Sequence, residues 1–100
     1  MIYVFEVIDK TGRNIYLTNE RLKHITSPQS LHPYMTNYIE EIKKALINPD
    51  IIVPNVYDST KMNYYYHLKE RKQYLLVGVK YLNGKGFIIT SFLARKIKKR

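Results

Sequence analysis

Tyr74-Leu75-Leu76-Val77-Gly78-Val79-Lys80-Tyr81 decides the fold. Leu75 to Val79 is apolar throughout, as in a central strand covered on both faces or one covered on a face by helices. Working outward, Tyr64 to Leu68 and Phe87 to Phe92 are rich in β-branched and aromatic residues, and so is Asp50 to Val53. The intervening stretches, Pro54 to Asn63, Lys69 to Gln73 and Asn83-Gly84-Lys85-Gly86, carry turn signals, so these four runs predict an antiparallel meander.

Upstream, Met35, Tyr38, Ile39, Ile42, Ala45 and Leu46 recur at helical spacing, which predicts a helix starting near Pro33. Asn48-Pro49 ends it, because a residue preceding proline is pushed out of the α region. A shorter helix is expected from an N-cap at Thr18, with Glu20 in its first turn, to about Thr26, where Ser27-Pro28 breaks it. Before it, Ile2 to Ile8 and Asn14 to Leu17 flank the turn Asp9-Lys10-Thr11-Gly12 and read as a hairpin. The expected fold is α+β: an N-terminal β-hairpin and two helices packed on a four-stranded antiparallel sheet. It forms one domain over 1–94, followed by a basic tail, 95–100.

The 100 residues carry 17 Lys and Arg against eight Asp and Glu, a net charge of +9, which predicts an anionic partner. No segment sets Lys and Arg opposite a wide apolar face, so RNA or DNA is favoured over a membrane surface. Cysteine is absent, which excludes disulfides, thiolate zinc sites and a cysteine nucleophile, and suits a reducing cytoplasm. The opening residues lack the basic n-region of a signal peptide, and no run approaches transmembrane length.

With no phosphate-binding glycine loop and no nucleophile elbow, the reactive groups are three histidines, cations, tyrosines and hydroxyls. His24 lies off the Leu22/Ile25 stripe of the first helix, beside Arg21 and Lys23. An imidazole there can move a proton while a guanidinium holds a phosphate. His32 precedes Pro33 at the start of the second helix, where backbone N–H groups favour anions. Strand alternation sends Tyr64, Tyr66 and Leu68 to one face and Tyr65 and His67 to the other. Next to Lys69, Arg71 and Lys72, such tyrosines can stack unpaired bases, although a tyrosine-rich core is the commoner use of such a run. Thr90 and Ser91 interrupt the last strand, and only one of them can face a given cleft. The tail adds Arg95 and Lys96 as phosphate contacts. No metal-ligand spacing joins the histidines, and no cofactor is expected.

Ile15 to Ile25, His32-Pro33, Ala45 to Ile52, Tyr65-Tyr66 and Phe87 to Phe92, taken in order, resemble the phage-type barnase–EndoU–colicin–RelE-like nucleases. The resemblance covers about residues 15 to 92, through short motifs. It implies two N-terminal helices on a four-stranded antiparallel sheet and metal-independent cleavage of RNA by its own 2′-hydroxyl. It also implies catalytic roles for His24, His32, Tyr66 and Thr90, with Arg21 and Thr90 on phosphoryl oxygens and His67 or a lysine as proton partner of His24. Tyr65 or Tyr66 would position a base or ribose. Two positions depart from the pattern: Tyr34 replaces an acidic residue after His-Pro, and His67 a basic one after Tyr-Tyr. The expected function is an endoribonuclease with RNA as partner. A toxin-like form would add a protein antitoxin or inhibitor, and the alternative is a non-catalytic RNA-binding module.

Overall fold

The computed structural model describes residues 3–27 and 33–97. The elements follow in order: β1 (Tyr3–Ile8), β2 (Asn14–Thr18), α1 (Asn19–Thr26), a 3-10 helix (Pro33–Tyr38), α2 (Ile39–Ile47), β3 (Ile51–Pro54), β4 (Lys61–Leu68), β5 (Gln73–Leu82) and β6 (Lys85–Ala94). All six strands form one sheet in the order β1-β2-β6-β5-β4-β3.

The expected four-stranded antiparallel sheet is thereby corrected. The hairpin does not stand apart: β2 docks on the edge of β6 in parallel, pairing Ile15 with Gly86 and Tyr16 with Phe87, so the sheet is six-stranded and mixed. Burial explains it. Ile15, Tyr16 and Leu17 are all buried, on successive and therefore opposite faces, so β2 has no face for water. An isolated two-stranded ribbon is also marginal in water, and an uncovered β6 edge would leave its backbone groups unpaired. Gly86 permits the approach, since a Cβ there would lie 2.4 Å from Ile15 Cδ1.

The helices cover one face. Ile25, Met35, Ile42, Ala45 and Leu46 meet Ile15, Leu17, Tyr64, Leu75, Val77, Val79 and Ile88 in the main core. On the other face Val53, Tyr65 and Leu76 form a smaller cluster, against which Ile51, Tyr74, Phe92 and Ile97 pack. Thr18 caps α1 as its sequence suggests, its Oγ1 accepting from Arg21 N at 3.1 Å. The second helix departs from expectation, because Pro33–Tyr38 is 3-10 and α-geometry begins only at Ile39. Thr36 competes locally for a backbone hydrogen bond, its Oγ1 donating to Pro33 O at 3.4 Å.

Asp9, in the β1–β2 turn, is 5% exposed. Its Oδ1 accepts from Thr11 N at 3.0 Å, Thr11 Oγ1 at 2.7 Å and Arg13 N at 2.9 Å, while Oδ2 accepts from the phenol of Tyr64, which also contacts Tyr81 Oη. The Arg13 guanidinium lies 3.8 Å from the centre of the Tyr81 ring. Burial by itself would raise the Asp9 carboxyl, but the hydrogen bonds from Tyr64, Thr11 and Arg13 outweigh it and hold it below the ordinary aspartate value. Burial and the neighbouring carboxylate push the Tyr64 phenol far up, so it remains a donor. This buried network pins the hairpin turn to β4 and β5.

Candidate nucleic-acid interface

Tyr38, Glu41 and Lys44 follow one another at i, i+3 spacing and form a polar ridge on the flank of α2, while Ile42, Ala45 and Leu46 turn inward. Opposite that ridge, β4 ends in the turn 69–72. Arg71 N donates to Leu68 O at 3.0 Å there, and Lys72 adopts φ 53, a left-handed conformation uncommon for a residue with a side chain. The turn brings Lys69 and Arg71 to face the helix. Between ridge and turn lies an open cleft of about 470 Å³, lined by Tyr38, Glu41, Lys44, Tyr66, His67, Leu68, Lys69, Glu70 and Arg71.

Two features of this cleft bear on chemistry. The Arg71 guanidinium lies 5.8 Å from the Tyr38 ring centre, within cation–π range, which orients it along the cleft. Glu41 shares the cleft with Lys44, Lys69 and Arg71, yet among the described residues it forms no ion pair. Its neighbour Glu40 pairs with Lys43 at 3.2 Å. A second open cleft of about 640 Å³ continues the groove beyond Arg71 and Tyr38, lined also by Tyr34, Asn37, Gln73 and Leu93. Tyr34 Oη accepts from Leu93 N at 3.3 Å and ties the 3-10 helix to β6.

Of the residues expected from sequence, Tyr66, Lys69 and Arg71 meet in this groove, with Lys72 in the same turn. His67 lies at its rim. Alternation carries its ring to the opposite face from Tyr66, where it rests on Tyr74 at 4.9 Å between centroids, while its backbone N–H donates to Asp50 Oδ2 at 2.6 Å. Tyr65 does not offer a ring for base stacking, because it is only 1% exposed, packed among Val53 and Leu76. His24 and Arg21 line a separate, smaller cleft of about 190 Å³ with Thr18 and Glu20, and Lys23 is exposed beside them. Arg21 Nη1 donates to Ile89 O at 3.4 Å, tying α1 to β6.

Thr90 sits on the face away from the helices, its methyl over Gly78, where a Cβ would come within 2.8 Å. Ser91 goes the other way, fully buried and donating to Leu76 O at 2.8 Å. Arg95 and Lys96 are exposed beyond β6, and Ile97 folds back against the smaller cluster. His32 lies outside the described residues. No described cleft is lined by both His24 and His67.

Sequence reading missed Glu41, Lys44 and Tyr38. Their spacing on the flank of an amphipathic helix was the available signal, but a solvated flank reads the same way. Among the described residues no three His, Asp or Glu side chains converge, and no helix is long and apolar enough to cross a membrane. Comparison of the chain with protein-family models, with curated proteins and with solved structures finds no match.

Proposed function

We propose that this chain binds single-stranded RNA along the groove between α2 and the β4–β5 turn and cleaves it there without a metal. The observation that carries the reading is Glu41, the less exposed of two carboxylates, with Glu70, that form no ion pair among the described residues and line a cleft with Lys44, Lys69, Arg71 and Tyr66. Cations converging on one cleft fit a phosphate backbone, and a carboxylate left uncommitted among them fits proton abstraction.

Glu41 takes the proton of a ribose 2′-hydroxyl. The 2′-oxygen then attacks the adjacent phosphorus, and the bond from phosphorus to the 5′-oxygen breaks. Arg71, Lys69 and Lys44 stabilise the negative charge that develops on the phosphoryl oxygens. Tyr66 returns a proton to the leaving 5′-oxygen. The products are a 2′,3′-cyclic phosphate and a 5′-hydroxyl end, and none of the three histidines takes part.

The test is incubation of the purified protein with end-labelled RNA in EDTA, reading cleavage and end chemistry. Glu41→Gln should slow cleavage ~100-fold or more while changing RNA affinity little, since the proton moves only in the transition state. Cleavage appearing only when a divalent metal is added back would overturn the mechanism. Collapse of the rate in His24→Ala but not in Glu41→Gln would move the chemistry to the α1 cleft. Binding without any turnover would leave an RNA-binding module.

A further inference from the structure

We infer that the second half of the groove, beyond Arg71, is a subsite for one unpaired RNA base, and that it prefers adenine. This rests on the RNA reading above and adds to it the base that is recognised.

Tyr34, at 36% exposure, presents an aromatic ring at this end of the groove. Tyr38 stands edge-on to it at 6.4 Å between centroids and 86°, so the two rings form a corner rather than a closed stack. Asn37 and Gln73 line the same cleft, and among the described residues neither side-chain amide has a hydrogen-bond partner. Two uncommitted amides beside an accessible ring match the way proteins read single-stranded RNA: the base stacks on the aromatic and its edge is hydrogen-bonded. An amide sets one donor beside one acceptor. That pair complements adenine N6 and N7, and it mismatches the two adjacent acceptors, O6 and N7, of guanine. A purine also covers more of a tyrosine ring than a pyrimidine does. Arg71 and Tyr38 border both halves of the groove, so a phosphate on Arg71 would join the base in this subsite to the ribose beside Glu41.

The experiment measures equilibrium binding of the full chain to short oligouridines carrying one adenosine, guanosine or cytidine, 2′-O-methylated throughout to block cleavage. The adenosine oligonucleotide should bind ~10-fold tighter than the others. Asn37→Ala and Gln73→Ala should each remove most of that difference while leaving affinity for plain oligouridine within about twofold, with folding checked by circular dichroism. Equal affinity for all the oligonucleotides, or an adenosine preference that survives both substitutions, overturns the subsite. Cleavage of unmodified RNA is read separately. An adenosine preference without cleavage would sink the nuclease reading and keep the subsite, and cleavage without a preference would do the reverse.

Discussion

Glu40 and Glu41 are adjacent in sequence, but Glu40 is paired with Lys43 in solvent while Glu41 lines a cleft with three cations. Only the β4–β5 turn, brought opposite by the sheet, separates the two, which is why sequence reading pointed to Tyr66, Lys69 and Arg71 but passed over Glu41 and Lys44, which line the same cleft. Asp9 was hidden for the same reason: Asp9-Lys10-Thr11-Gly12 announces a turn, but the phenols that meet its carboxylate come from β4 and β5. Asp9→Asn keeps the size and removes the charge that Tyr64, Thr11 and Arg13 satisfy. It should destabilise the fold by about 1–3 kcal/mol, as loss of a buried hydrogen-bond partner does. The sign with pH follows from the lowered carboxyl. The folded-state value lies below the unfolded one, so the contribution is complete above about pH 4 and is lost as pH falls through the folded value. Urea unfolding from neutral to acid pH should show that loss in the parent and a smaller one in Asp9→Asn. Parallel stability curves for the two proteins would rule out Asp9 as its source.

At the scale of elements, alternation, breakers and the N-cap at Thr18 were enough to locate α1 and the six strands to within a few residues and the end of α2, whereas the start of α2 lies six residues beyond the expected Pro33. The docking of β2 on β6 was not legible, because nothing within Asn14 to Leu17 says whether a strand buried on both faces finds its second neighbour in a partner strand or under a helix. The deciding residue is Gly86, far along the chain, which reads as a turn glycine beside Asn83-Gly84. The turn itself is Asn83-Gly84, with φ 53 and φ 80, the two positive values that a two-residue hairpin loop demands. Gly86 lies within β6, facing Ile15. A Cβ there would sit 2.4 Å from Ile15 Cδ1, 2.9 Å from Val79 Cγ1 and 3.0 Å from Tyr81 Cε1. Ile15 and Val79 are fully buried and have no room to yield. Gly86→Ala should therefore cost about 1–3 kcal/mol by overpacking, measured by chemical denaturation. A cost under about 0.5 kcal/mol would mean that the β2–β6 seam is loose and the hairpin only weakly held.

On the whole molecule, five of the 17 cations fall in residues 95–100 and the rest are scattered along the chain, so net charge alone predicts attraction to any polyanion and says little about where a strand would lie. Salt dependence supplies the missing position. Single-stranded nucleic acid releases counterions with a slope of log affinity against log salt of about −0.7 for each phosphate neutralised. Lys44, Lys69 and Arg71 line the groove and Lys72 stands in the same turn, which gives a slope of roughly −3 for a strand confined there. Between ~50 and ~200 mM salt the affinity should then fall roughly 50-fold. Arg95 and Lys96, exposed past β6, would steepen the slope by roughly 1.4 if the strand also reached them. The groove and the tail are thus separable by substitution. Replacing Lys69, Arg71 and Lys72 with glutamine should flatten the slope by about 2, whereas Arg95→Gln with Lys96→Gln should leave it nearly unchanged if the groove alone holds the strand. A slope that survives the turn substitutions and collapses with the tail pair would place the RNA on the opposite face of the sheet, next to Ile97. Glu41 would then stand in a cleft that RNA does not visit, and the cleavage mechanism would lose its substrate.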